Sequence, residues 1–316
     1  MITVLWIVFA CAALYLALTF GHLAYTAWVR KRFPATGVHV DAAGVQMHIV
    51  RRGAGPTVVL IHGANGTLSD FPDALIDDLA RDHDVIAIDR PGHGWSDPGS
   101  GPLDLQANAR AVLATLRACG VARAVLLGHS YGAAVALRAA LDEASMVAGV
   151  VAVTPCTIVD FHNARFTRVP LPRGLAAEAL FHLFTLPLAV PSSPSMRRHA
   201  WHPDPPPRGE FASRAFSMTP GQARYASENF RHLQADFAVL ARDLPSLMPP
   251  FVVLAGAEDR ITPAGPHTDW LATAVPGTGV EVLQGVGHWL PRLRADAVAE
   301  AVRSLGPAER RRVPRA

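Results

Sequence analysis

A serine set between two glycines, in Gly128-His129-Ser130-Tyr131-Gly132, is the residue of this 316-residue sequence best placed to act as a nucleophile. The apolar run Ala124–Gly128 precedes it and an Ala-rich helical pattern, Gly132–Leu141, follows it. A strand that turns directly into a helix forces the serine between them into a strained backbone conformation with its hydroxyl exposed. Small residues on either side leave room for the turn. The start of the following helix also favours developing negative charge.

A serine hydroxyl is a weak nucleophile until a base takes its proton, and the base needs an acid to hold it in the right tautomer. His288 is the predicted base. It lies in Gln284-Gly285-Val286-Gly287-His288-Trp289, beyond the last strand-like run, where glycines let a loop fold back over the sheet. Asp259, in Gly256-Ala257-Glu258-Asp259-Arg260 directly after the run Phe251–Ala255, is the predicted acid. Glu258 beside it is an alternative, and Asp160 is a remoter one that better suits a helix cap.

A tetrahedral intermediate needs donors for its oxyanion, and two backbone N–H groups are predicted. One is that of Tyr131; the other is that of Ala64, with Asn65 as second choice, in His62-Gly63-Ala64-Asn65-Gly66. Gly63 lets this loop approach substrate, and His62 is expected to orient it by hydrogen bonds. Asn65, His129, Phe161, Phe181 and Trp289 are expected to line the substrate pocket. The chemistry this set implies is acyl transfer to water through an acyl-serine, with a small-molecule acyl substrate.

The elements that must position these residues alternate. Strand-like runs at Val45–Arg51, Thr57–His62, Val85–Asp89, Ala124–Gly128, Val147–Val153, Phe251–Ala255 and Val280–Gln284 are separated by helical patterns at Leu68–Arg81, Leu103–Cys119, Gly132–Leu141, Pro266–Ala274 and Asp296–Leu305. This order predicts an α/β fold with a mostly parallel sheet and helices on both faces. Between Val153 and Phe251 the strand pattern lapses, and Pro-rich punctuation separates amphipathic stretches at Leu175–Leu186 and Ala223–Leu240. So long an interruption has structure of its own. It is read as an inserted helical cap over residues 156–248, dividing a core of 33–155 and 249–306, with a basic tail at 307–316.

Residues 1–32 are read as an anchor. From Met1 to Val29 no residue is charged, and Ile2 to Phe20 is almost continuously apolar, enough to span a bilayer as a transmembrane helix. Trp6, Tyr25 and Trp28 sit near its ends, and Arg30-Lys31-Arg32 follows, which places the catalytic domain in the cytoplasm. A cleaved signal peptide fits less well, lacking a basic start and a small-x-small site. Lys31 stands alone among many arginines, which suits a bacterial chain and its inner membrane.

Composition excludes other classes. A hydrophobic share of 50% rules out a disordered chain, and a net charge of +3, with its basic clusters at the two ends, gives no nucleic-acid surface. The three cysteines, Cys11, Cys119 and Cys156, have neither metal nor disulfide spacing. His199, His202 and Asp204 fall in a Pro-rich stretch read as exposed loop, so no metal and no organic cofactor is expected.

On these motifs the chain, from about Val38 to Leu305, resembles the cap-bearing α/β-hydrolase superfamily. The resemblance includes Asp89-Arg90-Pro91-Gly92-His93-Gly94-Trp95-Ser96, similar to a turn of epoxide hydrolases, dehalogenases and esterases, in which Asp89 and Ser96 are expected to stabilise the turn. The superfamily's triad falls on Ser130, Asp259 and His288, in the chain order the fold implies. A serine at the nucleophile position argues against dehalogenase and epoxide hydrolase chemistry. Carboxylic ester hydrolysis is the expected reaction. Amide, thioester or C–C hydrolysis, cofactor-free haloperoxidation and a non-catalytic receptor are the alternatives the fold admits.

Overall fold

The structure is a computed structural model that describes residues 2–158, 197–207 and 212–305. Phe161, Phe181, the stretch Leu175–Leu186 and the basic tail lie outside the described residues.

Eight strands form one sheet: β1 (Val38–Ala42), β2 (Val45–Gly53), β3 (Thr57–Ile61), β4 (Asp84–Ile88), β5 (Ala124–His129), β6 (Val147–Val153), β7 (Phe251–Gly256) and β8 (Gly279–Leu283). Their spatial order is β1-β2-β4-β3-β5-β6-β7-β8, with β2 antiparallel to both its neighbours and every other pairing parallel. The central strands are apolar almost throughout because both faces are covered. Val58, Val59, Leu60 and Ile61 are all buried, as are Val85 to Ile88.

On one face lie α3 (Leu105–Ala118) and α4 (Tyr131–Asp142). Asp104 caps α3 by accepting from the Ala107 N–H at 2.7 Å, and Leu105, Ala109, Val112, Leu113 and Leu116 recur at helical spacing on its buried side. The helix α4 carries Ala133, Ala134 and Ala136 against the sheet, small enough for close packing. The opposite face is covered by α2 (Asp73–Leu79) and the helix before the C-terminus, Ala295–Ser304. Each fully buried Leu, Ile or Val contributes ~1.5–3 kcal/mol over an exposed one.

Two sequence readings change. The strand β1 is not among the strand-like runs of the sequence. It pairs with β2 through Ala43 and Gly44, whose φ of 56° and 89° are the left-handed pair a two-residue hairpin requires. Its five residues, Val38-His39-Val40-Asp41-Ala42, alternate apolar and polar, but only Ala42 is buried, as suits a short edge strand. The single helix expected at Leu68–Arg81 is a 3-10 turn, Leu68–Asp70, followed by α2, because Pro72 forces extended backbone between them.

Helices are inserted between β6 and β7, including α5 (Ala212–Ser217) and α6 (Pro220–Asp243). The buried face of α6 carries Gln222, Ala226, Asn229, Leu233, Phe237 and Leu240 at intervals of three and four, with Pro220 at its first turn. Two of those six are amides.

The N-terminal helix α1 (Ile2–Arg32) has 31 residues and is long and apolar enough to cross a membrane. At 1.5 Å per residue it is about 46 Å long, beyond the ~30 Å of a hydrocarbon core. Its last turns are packed on the rest of the chain. Val29 is buried with Ala215 and Phe216 of α5, and Tyr25 donates to the Ala215 carbonyl at 3.1 Å. Arg30 lies over the Trp95 ring, whose Nε1–H donates to the Phe33 carbonyl at 3.1 Å.

Candidate active site

Ser130 stands between β5 and α4 with φ 54° and ψ −120°. A non-glycine residue at positive φ costs ~1–3 kcal/mol, so the surroundings must impose it. They do so by close approach. A Cβ at Gly128 would lie 2.2 Å from the Gly132 carbonyl oxygen, and one at Gly132 would lie 2.1 Å from that of Ile61. The Ser130 N–H donates to Val153 O at 2.9 Å, while its carbonyl accepts from Ala133 at 3.0 Å and Cys156 at 3.1 Å. Both glycines thus serve the turn, and the serine sits at the C-terminal edge of the sheet.

The loops after β7 and β8 meet at the same edge. His288 Nδ1 donates to Asp259 Oδ2 at 2.8 Å, and all of Asp259, His288 and Ser130 are buried. The backbone decides between the two acids. Glu258 turns away to accept from the Val286 N–H at 2.9 Å, bracing the histidine loop, whereas Asp259 Oδ1 accepts from Ile261 at 2.7 Å and Thr262 at 2.9 Å. Thr262 Oγ1 lies 2.9 Å from Asp259 Oδ2 and 3.1 Å from the Thr154 carbonyl oxygen. Thr262 carries no motif and sequence reasoning missed it.

His129, expected in the pocket wall, is tied to His288. Its Nε2–H donates to the His288 carbonyl at 3.0 Å, and the Thr154 hydroxyl donates to the same oxygen at 3.2 Å. The His129 ring centroid is 5.0 Å from that of His288 and 5.6 Å from that of Trp289, which stacks on Trp201 at 5.5 Å. The residue preceding Ser130 thereby braces His288.

The loop after β3 closes the site. A Cβ on Gly63 would stand 3.1 Å from Ser130 Cβ, so this backbone passes directly beside Ser130. Among the described residues, neither the Ala64 nor the Tyr131 N–H donates to a protein group. Asn65, at φ 52°, donates to Ser217 O at 3.3 Å, and Gln222 of α6 donates to the Asn65 and Gly66 carbonyls at 3.0 and 3.1 Å. In the neighbouring turn, Asp89 accepts from the N–H groups of Leu68 at 2.7 Å and Trp95 at 3.0 Å and from His48 Nδ1 at 2.8 Å. Ser96 Oγ donates to Asp89 O at 2.6 Å. Among the described residues no group of three or more His, Cys, Asp or Glu is arranged to hold a metal ion.

Residues 58–301 match the family model described as the Alpha/beta hydrolase family. The chain belongs to the alpha/beta hydrolase family. This hydrolase-family chain is 32% identical over 269 residues to the polyketide synthase ThaQ of Burkholderia thailandensis, a match that covers 82% of the chain and 12% of that protein's length. It is 26% identical over 252 residues to the esterase YbfF of Escherichia coli, covering 78% of this chain and 91% of the other. In fold it is similar to a membrane phospholipase A described as a bacterial virulence factor, with a TM-score of 0.65 and 18% identity over 96% of each chain.

The site is electrostatically dry. Burial, then the nearby charges, hold His62 and His93 well below the usual histidine range, and burial with His288 alongside lowers His129 to about 3. Burial works against the Asp259 charge, but His288 and the N–H groups of Thr262 and Ile261 outweigh it and keep its carboxyl below the ordinary value. Asp70 is the opposite case, pushed up to about 6 by burial.

Two predictions follow from this packing. The unfolded chain protonates all three histidines near pH 6.5 and the folded chain does not, so their contribution is present above that pH and lost as pH falls. Asp70 binds its proton in the folded state first and offsets one of the three. The three histidines outweigh it, so stability falls as pH drops below about 6. Urea unfolding at pH 6 and pH 5 should show that loss, and equal stabilities would contradict it. Gly128→Ala should lower stability by ~1–3 kcal/mol by overpacking the turn and abolish turnover, as read from thermal melts and ester hydrolysis.

Proposed function

We propose that the protein is a serine hydrolase that cleaves a carboxylic ester through an acyl-serine intermediate. The observation that carries this reading is the enforced left-handed Ser130 at the start of α4, with a buried His288–Asp259 pair held at 2.8 Å in the loops at the same edge of the sheet. In the proposed reaction Ser130 Oγ attacks the ester carbonyl as His288 takes its proton. Asp259 stabilises the imidazolium, and His288 returns the proton to the departing alcohol. Water, activated by the same histidine, then releases the acid. The unshared N–H groups of Ala64 and Tyr131 serve as donors to the oxyanion.

The esterase named among the relatives supports the ester over the amide. The apolar α1 supports a single-pass anchor with the catalytic domain in the cytoplasm, and an ester of hydrophobic or lipid-derived character is the substrate such a position favours. Contact between α1 and α5 supports a reading in which the inserted helices lie on the anchor side of the domain.

Ser130→Ala should lower kcat on p-nitrophenyl esters by about 10⁴-fold or more without loss of fold, and retained turnover would end the nucleophile assignment. On fractionation the full chain should stay with membranes through a high-salt wash and leave only with detergent. Release by salt alone would remove the anchor.

A further inference from the structure

Arg90 is fully buried, and among the described residues its guanidinium meets no carboxylate. Its acceptors are all uncharged oxygens. Nε donates to His62 O at 3.1 Å, Nη2 to Gly63 O at 2.9 Å, and Nη1 to Asn108 Oδ1 at 2.7 Å and Asn229 Oδ1 at 2.9 Å. An arginine charge buried without a counter-ion is costly, and the guanidinium does not deprotonate to escape it. Such a charge is retained where its field or its fixed fork of donors is used.

The oxygen it holds belongs to a particular peptide. The Gly63 carbonyl and the Ala64 N–H are two ends of one planar unit and point in opposite directions, so fixing one aims the other. Three donors converge on Gly63 O: Arg90 Nη2 at 2.9 Å, His62 Nδ1 at 2.9 Å and the Gly66 N–H at 3.3 Å. The His62 tautomer is set by Arg90 as well, because the Arg90 N–H donates to His62 Nε2 at 2.9 Å and leaves the ring proton on Nδ1. A charge-assisted bond at the carbonyl end draws electron density from the amide and makes its N–H a stronger donor.

We propose that Arg90 and His62 are positioning residues that aim and polarise the Gly63–Ala64 peptide, so that the oxyanion hole draws on a buried positive charge it never touches. The inserted helix α6 is part of the same device. Gln222 and Asn229, seven residues apart and therefore on one face, clamp it from above: Gln222 holds the Asn65 and Gly66 carbonyls, and Asn229 accepts from Arg90. Gln222 Oε1 also accepts from Gly94 N at 2.9 Å, which joins the turn after Arg90 to the same helix. The position of α6 thus sets the direction of the Ala64 N–H.

The inference rests on Ala64 acting as an oxyanion donor in the reading above. Its test uses the full chain in detergent, p-nitrophenyl butyrate as substrate and a trifluoromethyl ketone as mimic of the tetrahedral intermediate. Arg90→Lys keeps the charge but loses the fork. It should lower kcat by about 10- to 100-fold with KM within about 3-fold, and weaken the ketone by the same factor as kcat/KM, short of the full loss of a donor. Wild-type kcat and ketone affinity in a folded Arg90→Lys protein, or a loss confined to KM, would overturn it. Should the lysine variant not fold, Asn229→Ala is read in the same way. It should cost about 3- to 10-fold in both kcat and ketone affinity, and unchanged values would overturn the proposal. An inactive wild type would instead refute the serine-hydrolase reading, which keeps the two failures apart.

Discussion

The backbone of Ser130 is the constraint on which the rest of the site depends. Its positive φ is unfavourable for a serine, and it persists because Gly128, Gly132 and the carbonyl end of β3 pack too closely to admit any other path. The parallel register of β3, β5 and β6 brings Ile61, His129 and Val153 to one edge, and there the chain must turn. That close packing is supplied by the apolar interior of the sheet and the small residues of α4. A change deep in either is transmitted to the hydroxyl.

The proposed triad draws on loops that leave the same edge, and each is braced by groups outside it. Glu258 ties the two loops together through Val286. Thr154 and His129 both hold the His288 carbonyl, so the base is fixed through its backbone as firmly as through Asp259. The inserted helix α6 enters from above and fastens the loop after β3. Cap and sheet are therefore joined at the catalytic centre through hydrogen bonds between buried amides and carbonyls, and the apolar residues of α6 pack farther along the same face.

Much of this was legible in the sequence because it is written in local patterns. Ser130 lay between a strand run and a helix run, His288 followed glycines, and seven of the eight strands fell in runs rich in apolar and β-branched residues. What local pattern cannot carry is orientation. Glu258 and Asp259 are chemically equivalent until hydrogen bonds turn one outward, and His129 points to the base only once β8 is in place. Arg90 stood in view inside Asp89-Arg90-Pro91, but burial of an arginine without a carboxylate partner is a tertiary fact. Its partners Asn108 and Asn229 lie 18 and 139 residues away. The edge strand β1 did carry a local signal, the alternation Val38-His39-Val40-Asp41-Ala42, but it is short and follows directly on a stretch broken by Pro34 and Gly37.

The account stands or falls on which side chain becomes acylated. Wild-type protein treated with a fluorophosphonate, digested and mapped by mass spectrometry should carry one phosphonyl group, on the peptide containing Ser130, and heat-unfolded protein should carry none. An adduct on any other residue, or none on the folded protein, would contradict it.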